Sequence, residues 1–222
     1  AINYAVEGET FAFAWGSLVG IILCGLCMLY FIYKLALVTK IHVRDIAEIG
    51  ILVAIAIIFD QFLKIKVGLE GGSIGFTMVP LFIIAYRFGF AKGFFAIGLV
   101  YGLTTNLLDG YGLATYPFDY LLAYGSISFA GFYASLVFPE DQKTIKWQNI
   151  FYLVSSVILG TITRYLGSTI SSIVLYGTSF VGGLAYNVYI LISGALTLAT
   201  ILALYKPLLL INRIYPPRPP RM

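Results

Sequence analysis

Long apolar stretches separated by short polar loops run along the 222-residue chain. One of them begins at Tyr116 and continues through Gly125 to Phe138, which is long enough to cross the hydrocarbon core of a bilayer. Charged residues make up only 11% of the sequence, against about 25% in soluble domains. The alternating ten-residue segments of a membrane barrel are not seen. The pattern therefore predicts an all-α, polytopic membrane protein.

Seven membrane spans are predicted from the positions of the apolar stretches. They cover residues 11–33, 46–62, 76–90, 94–108, 116–138, 150–175 and 184–211. The first lacks the basic start and the cleavage site of a signal peptide, so we expect it to be retained as a helix. A Pro/Arg-rich tail is predicted over residues 212–222, and its segment Tyr215–Arg221 is expected to be short and extended, because consecutive prolines cannot form a helix.

Basic residues predict the orientation of the chain. With seven spans, one side of the membrane receives only Lys64 and Lys66. The other side receives Lys34, Lys40, Arg44, Arg87, Lys92, Lys143, Lys146, Lys206, Arg213, Arg218 and Arg221. Because short cytoplasmic loops are rich in Lys and Arg, we expect the N-terminus outside and the C-terminus in the cytoplasm. Asp109, Asp119 and the glycine-rich segments 71–75 and 177–183 then gather on the outer face, which favours an outward-facing ligand site.

Several chemistries are disfavoured by what the sequence lacks. It has no G-x-x-x-x-G-K-[ST] phosphate loop, so ATP hydrolysis by this chain is not expected. The single His42 lies in a basic loop, and Cys24 and Cys27 lie together in an apolar stretch. These positions favour neither a metal site nor a catalytic triad. The net charge of +4 is explained by loop topology and does not indicate nucleic-acid binding. We expect a binding or transport protein, with no enzyme activity, cofactor or metal.

Asp119 is an ionisable residue near the mouth of the fifth span. Tyr116, Tyr120 and Tyr124 are spaced four apart around it, so they share one face of a helix. A carboxylate among aromatic rings can receive an organic cation by charge pairing and cation–π attraction. The alternative is an interfacial Asp that caps the helix N-terminus beside an ordinary aromatic belt. The sequence leaves both interpretations open.

Arg164 is the second charge inside a predicted span. Arg stays protonated, so in a membrane it needs a carboxylate, backbone carbonyls or an anionic ligand. Its face of the sixth span continues through Ser168, Ser171 and Ser172. The alternative to a ligand-binding role is a structural ion pair with Asp60, Asp109 or Asp119.

Glycine and alanine patterns suggest a lid and close helix contacts. Gly71-Gly72-Ser73 is either a plain turn or a flexible lid over a ligand. Gly50 and Ala54, and likewise Gly98 and Gly102, are spaced four apart, a pattern that permits close helix packing inside the protein or against a partner.

A set of motifs in a fixed order then resembles a known family. The order is Gly71-Gly72-Ser73-Ile74, Met78-x-Pro80, Tyr86-Arg87-Phe88-Gly89, Tyr101-Gly102-Leu103, Phe118-Asp119-Tyr120-Leu121-Leu122-Ala123-Tyr124 and Arg164-Tyr165. It resembles the thiamine-specific S components, the substrate-binding subunits, of energy-coupling-factor (ECF) vitamin transporters. The similarity covers residues 46–210, and the acidic-aromatic pair of the fifth span is its most specific part.

The resemblance implies a six-helix bundle with an outward pocket, here residues 45–211, preceded by an extra helix within residues 1–44. It implies that Asp119 is the ligand-binding carboxylate and that Tyr120 is its neighbouring ring. Arg164 falls at a basic pocket position, Ser168 where a His is found, and Tyr176 where a Trp is found. Ser193-Gly194-Ala195 resembles an Asn-Gly-Ala motif. The implied pocket is completed by Tyr124, Asn187 and Tyr189.

The function implied is that of a substrate-binding subunit for thiamine or a related pyrimidine compound. Its implied partners are an ECF scaffold subunit, which would meet the Gly50 and Ala54 face, and two ATPase subunits. The alternatives are an S component for another vitamin, a self-sufficient secondary transporter with a relay through Asp60 and Asp109, or a structural or enzymatic membrane subunit.

Overall fold

The computed structural model describes residues 42–67, 72–110, 112–139 and 145–216. The predicted first span and nearly all of the predicted N-terminal segment 1–44 lie outside these residues, as does the end of the tail from Pro217. In chain order the elements are α1 (Val43–Phe62), β1 (Lys64–Val67), β2 (Gly72–Gly75), α2 (Met78–Phe94), a π-helical segment (Phe95–Tyr101), α3 (Gly102–Asp109), a second π-helical segment (Tyr116–Leu122), a 3₁₀ helix (Gly125–Tyr133), α4 (Ala134–Val137), α5 (Trp147–Tyr176), α6 (Phe180–Tyr186), α7 (Tyr189–Ala203) and α8 (Tyr205–Ile214).

The helical, multi-pass class predicted from the sequence is confirmed. Four stretches are long and apolar enough to cross a membrane, namely Met78–Asp109, Tyr116–Val137, Trp147–Tyr176 and Phe180–Ala203. Helix α1 has 20 residues, about 30 Å, and its charges lie near its two ends. The core between these helices is closely packed and includes the fully buried Phe82, Ile84, Tyr101, Ile127 and Leu153.

The stretch Met78–Asp109 reverses direction at Gly89. The φ and ψ angles of Gly89 are 72° and −175°, a conformation that glycine adopts at little cost. A Cβ added to Gly93 would lie 3.4 Å from the Cα of Ala85. Residues eight apart in a straight helix are separated by about 12 Å, so the chain folds back on itself here. The reversal lies at the boundary between the predicted third and fourth spans.

Strands β1 and β2 pair as an antiparallel β-hairpin, whereas the sequence predicted only a loop here. Lys64 is paired with Gly75, and Val67 is paired with Gly72. Over the described residues the fold is therefore helical with one added two-stranded hairpin. A Cβ on Gly75 would lie 2.8 Å from the carbonyl oxygen of Leu63, so the close strand approach requires glycine at this position.

The last predicted span is divided differently in the structure. Helix α6 begins at Phe180, within the segment predicted as a glycine-rich link, and the apolar stretch ends at Ala203. Residues predicted to complete the span form the separate helix α8, which continues to Ile214. Helix α8 therefore extends across residue 212, where the sequence predicts the boundary between the membrane domain and the tail. Pro207 in the first turn of α8 is compatible with this break, because that N–H has no helical partner.

Ion pairs and a hydrogen bond join three helices at the end of the bundle opposite the hairpin, which we call the basic end. Lys92 Nζ lies 2.6 Å from Asp45 Oδ2, and Arg87 Nη2 lies 2.7 Å from Glu48 Oε2. Arg87 also donates to Asn212 Oδ1 at 2.6 Å, which fixes α8 against α1 and α2. The hairpin end, by contrast, carries Lys64 and the carboxylates of Asp60, Asp109 and Asp119.

Candidate functional site

Asp119 lies half-buried in the π-helical segment Tyr116–Leu122, at the hairpin end. Its carboxylate accepts hydrogen bonds from the hydroxyls of Ser171 and Tyr176 at the end of α5. The N-cap position of this segment is Thr115, and no side chain caps it. The interpretation of Asp119 as a helix cap is therefore wrong, because the carboxylate is directed across to a neighbouring helix.

Within the described part of the chain, the hydrogen-bond partners of Asp119 are neutral hydroxyls. No ion pair within 4.0 Å joins this carboxylate to a Lys or Arg of the described ranges 42–67, 72–110, 112–139 and 145–216. Two hydroxyls hold its oxygen atoms in place without neutralising its charge. A carboxylate in this state can attract a cation by charge and can accept hydrogen bonds from it.

Tyr120 and Tyr124 form an aromatic pair next to this carboxylate. Tyr120 is 5% exposed, and its hydroxyl donates to Asp109 Oδ2 at 2.8 Å. Its ring is stacked on that of Tyr124 with 6.1 Å between centroids, and Tyr101 meets Tyr124 edge-on at 5.2 Å. Asp109 thus fixes the orientation of Tyr120, a role that the sequence did not reveal.

Arg164 lies two turns before Ser171 on α5 and is 7% exposed. Its Cζ is 4.0 Å from the centroid of the Tyr124 ring, a cation–π contact. None of the ion pairs among the described residues includes Arg164, and its Nε has no hydrogen-bond partner. The structural ion pair considered from the sequence is therefore not formed with Asp60, Asp109 or Asp119.

Side chains at the start of α7 line the opposite side of the site. Asn187 donates to Ser172 Oγ on α5 at 3.0 Å, and Tyr189 donates to Asn187 Oδ1 at 3.4 Å. Ser193, one turn further along α7, accepts a hydrogen bond from Gly75 N of the hairpin at 3.4 Å. The break between α6 and α7 thus brings three predicted site residues, Asn187, Tyr189 and Ser193, to the hairpin and to α5.

The hairpin packs directly on this side of the site. A Cβ on Gly72 would lie 2.8 Å from Tyr189 Cε1, so the strand lies against the tyrosine ring. Asp60 at the end of α1 accepts hydrogen bonds from Lys64, the first residue of β1, at 3.2 Å and from Thr77, which follows β2, at 3.4 Å. Gly71 lies outside the described residues, and Ser73 is half-buried in β2.

The structure separates the two predicted relay residues and distinguishes the two predicted pairs of small residues. Asp60 and Asp109 are held by separate partners, Lys64 and Tyr120, and no hydrogen bond joins the two carboxylates within the described ranges. Gly98 and Gly102 pack inside the protein, where their added Cβ atoms would lie 2.8 Å and 3.2 Å from Leu121 and Tyr120. An added Cβ on Gly50 meets no described atom within 4 Å.

The remaining predicted residues lie along α5. Ser168 is half-buried one turn after Arg164, and Tyr176 is 60% exposed at the end of the helix. Ser171 and Ser172, which the sequence placed on the Arg164 face, turn out to anchor Asp119 and Asn187. Tyr101 was quoted only as part of a family motif and was not predicted as a site residue, although its ring contacts Tyr124.

Comparisons with known proteins agree with this architecture. The family model for thiamine transporter proteins (Thia_YuaJ) matches residues 46–217. The chain is 30% identical over 175 residues to the thiamine transporter ThiT of Bacillus subtilis (strain 168), which covers 71% of this chain and 87% of that protein.

Two solved structures share the fold. ThiT from Listeria monocytogenes matches with a TM-score of 0.65 and 23% identity, over 75% of this chain and 97% of its own. The S component of a bacterial ECF transporter matches with a TM-score of 0.54 and 24% identity, over 78% and 98% of the two chains. On the match of its sequence to the family model, the chain belongs to the thiamine transporter protein family.

Proposed function

We propose that the chain is the substrate-binding subunit of an ECF-type uptake transporter for thiamine or a closely related pyrimidine compound. The observation that carries this proposal is the Asp119 carboxylate, fixed by two hydroxyls and not paired with any described cation. Thiamine carries a permanent positive charge on its thiazolium ring and an amino group on its pyrimidine ring. The carboxylate can offset the charge of the thiazolium ring and can accept a hydrogen bond from the amino group. The family membership and the named relatives support the same assignment.

The aromatic residues are proposed to sandwich the ligand beside Asp119. Tyr176 is the exposed ring at this position and can stack on a heteroaromatic ring. The rings of Tyr120 and Tyr124 stack on each other, and they also contact Asp109 and Arg164 respectively. We therefore assign both rings to the wall of the site. Asn187, Tyr189, Ser193 and Ser168 would supply polar contacts, with the hairpin segment Gly71, Gly72 and Ser73 closing over the ligand.

Energy for release has to come from partner subunits, because the 222 residues include no phosphate-binding loop. We assign this role to two ATPase subunits acting through a scaffold subunit. The chain itself would bind and present the vitamin, with no catalytic step of its own.

The orientation proposed from the sequence places the basic end in the cytoplasm. Arg44, Arg87 and Lys92 meet at this end through contacts with Tyr215, Glu48 and Asp45. Lys and Arg concentrate on the cytoplasmic side of membrane proteins. The hairpin and Asp119 would then face the outside, where an uptake system collects its substrate.

Titration of the purified chain with thiamine, in the absence of nucleotide, tests the proposal. We expect a saturable change in the intrinsic tyrosine and tryptophan fluorescence. The absence of saturable binding with thiamine, its phosphates and its pyrimidine precursors would refute it. Uptake by the chain alone in liposomes under an imposed ion gradient would instead identify a self-sufficient secondary transporter.

The exposed face of α1 gives a prediction about the scaffold subunit. Gly50 and Ala54 are both exposed, and small residues on a helix face permit close helix contact in a membrane. We expect Gly50→Leu with Ala54→Leu to reduce co-purification with the scaffold subunit and to leave thiamine affinity unchanged.

A matched control is available on α7. Ala195 and Ala199 are also small, exposed and four residues apart. Replacing both with Leu adds the same volume to a different face and should leave the assembly intact. Equal co-purification of the two double variants would show that α1 does not form the scaffold contact.

Asp60 gives a prediction about the hairpin. Its buried carboxylate holds Lys64 and Thr77, one on each side of the hairpin. A hydrogen bond to a charged group contributes about 1.5–3 kcal/mol, so Asp60→Asn should speed amide hydrogen exchange in residues 64–75 by roughly tenfold or more. Thiamine should dissociate faster from this variant.

The control for the hairpin is Lys66→Ala, since Lys66 is an exposed residue of β1. This change alters the charge of the hairpin but not its attachment, so hydrogen exchange should stay near the wild-type rate. If Asp60→Asn exchanges no faster than Lys66→Ala, Asp60 does not hold the hairpin.

A further inference from the structure

Helix α8 begins where the chain leaves the last apolar stretch. That stretch, Phe180–Ala203, has 24 residues, and about 20 are enough to cross the hydrocarbon core of a bilayer. Leu204 then interrupts the helix, with φ and ψ angles of −87° and 1°. Tyr205 and Asn212 hold α8 against the bundle, since both are buried and Asn212 accepts a hydrogen bond from Arg87 at 2.6 Å. Helix α8 therefore lies at the basic end, at the level where the hydrocarbon core ends.

The outward face of α8 is apolar. Leu210, Ile211 and Ile214 share this face and are 54%, 46% and 59% exposed. The buried Tyr205 and Asn212 lie on the opposite face of the helix. The apolar face of a helix at a membrane surface enters the boundary between headgroups and acyl chains. Lipid can therefore cover the three side chains that the described part of the protein leaves exposed.

A line of basic residues borders this apolar face. Lys206 and Arg213 are exposed and seven residues apart, so they lie on one side of α8 with a rise of about 10 Å between them. Helix α8 contains no acidic residue, and none of the ion pairs among the described residues includes Lys206 or Arg213. Asp45 and Glu48 at the same end are already held in ion pairs with residues of α2. The two cations of α8 are thus open to an external anion.

We infer that α8 is a membrane-surface helix that binds the headgroups of anionic phospholipids through Lys206 and Arg213. These headgroups carry the complementary charge, and Lys and Arg beside a membrane are attracted to an anionic surface. The apolar side chains of the outward face enter the acyl region next to the bound headgroups. A protein partner fits this face less well, because Lys is depleted from protein interfaces. The inference concerns the attachment of the basic end to the membrane and does not depend on which compound the protein transports.

The test measures which lipid contacts α8. Leu210→Trp places an indole on the outward face of the full chain, in which Trp15→Phe and Trp147→Phe remove the two native indoles. The protein is reconstituted in nanodiscs of phosphatidylcholine with an increasing fraction of either brominated phosphatidylglycerol or brominated phosphatidylcholine, whose bromine atoms quench indole fluorescence on contact. We expect the anionic lipid to be favoured at this position by at least about fivefold, the effect of one basic residue at an anionic surface.

Two double variants show whether the basic residues of α8 cause this preference. Lys206→Gln with Arg213→Gln should bring the ratio of the two lipid affinities to about one. Lys66→Gln with Lys146→Gln removes the same net charge from exposed residues of other elements, so the ratio should stay at the value found without these changes. High salt should lower the ratio, because exposed charges are screened.

Three results would overturn the inference. The first is equal quenching by the two lipids, and the second is a preference that survives in the Lys206→Gln, Arg213→Gln protein. The third is an indole that neither lipid quenches, or that loses its quenching when the scaffold and ATPase subunits are added, since protein and not lipid would then cover α8. If Leu210→Trp does not fold, Ile214→Trp reports on the same face. Thiamine titration of the same protein tests the proposed function separately.

Discussion

Replacing Asp119 by Asn is expected to weaken thiamine binding by roughly tenfold to a hundredfold and to leave the melting temperature unchanged. The substitution keeps the shape of the side chain and removes its charge. A hydrogen bond to a charged group is worth about 1.5–3 kcal/mol, which corresponds to this range of affinity. Stability should be retained, because the partners Ser171 and Tyr176 are neutral hydroxyls that can also donate to an amide oxygen. Titration and thermal melting of the purified variant measure the two quantities.

Two further variants show whether the effect belongs to the ligand site. If Asp119 served to neutralise Arg164, Asp119→Asn would lower the melting temperature and Arg164→Gln in the same background would restore it. We expect no such rescue, because no ion pair joins the two side chains. Glu48→Gln should behave in the opposite way to Asp119→Asn. It removes the negative charge from the 2.7 Å ion pair with Arg87 at the basic end, so it should reduce stability and preserve affinity. If Arg164→Gln restored the melting temperature of the Asp119→Asn protein, Asp119 would be a structural partner of Arg164 and not a ligand-binding residue.

Much of the membrane topology could be predicted because bilayer thickness imposes it on the sequence. Apolar stretches of sufficient length, with Arg87 and Lys92 near the turn, were enough to divide residues 76–108 into two spans. The structure shows why the division falls there, since Gly89 takes a backbone conformation that breaks the helix. The confirmed apolar helix Trp147–Tyr176 likewise follows from an uninterrupted stretch that ends at Gly177.

The elements that sequence reasoning missed are those held by tertiary contacts. Strands β1 and β2 have only four residues each, and Asp60, which flanks them in space, belongs to the preceding helix. The π-helical and 3₁₀ turns between Tyr116 and Tyr133 have no local sequence pattern to indicate them. Pro207 was an available signal for the start of α8, since proline is tolerated in the first turn of a helix.

The candidate site was only partly predictable for a similar reason. The α5 face that carries Arg164, Ser168, Ser171 and Ser172 follows from helical spacing. The contact between Ser171 and Asp119 spans 52 residues of sequence, and no spacing rule connects them. The neutral surroundings of Asp119 and the unpaired state of Arg164 are properties of the folded chain, and they are what distinguish a ligand site from a structural ion pair.

Gly131→Ala is expected to destabilise the protein strongly. An added Cβ would lie 2.5 Å from the carbonyl carbon of Gly89, 2.6 Å from the nitrogen of Phe90 and 2.9 Å from the carbonyl oxygen of Ala85. All three atoms belong to the backbone at the reversal between two spans, so no flexible side chain can move aside. Overpacking of this kind typically costs about 1–3 kcal/mol or more, which would lower the melting temperature by several degrees.

The matched control is Gly50→Ala, the same chemical change in the exposed helix α1. No described atom lies within 4 Å of the added Cβ, and alanine favours a helix over glycine by about 1 kcal/mol. Its melting temperature should therefore equal or exceed that of the wild-type protein. Thermal melting of both variants in the same detergent provides the comparison. If the two variants have the same melting temperature, the 3₁₀ helix Gly125–Tyr133 is not packed against the backbone at Gly89. The arrangement of the spans around this reversal would then need revision.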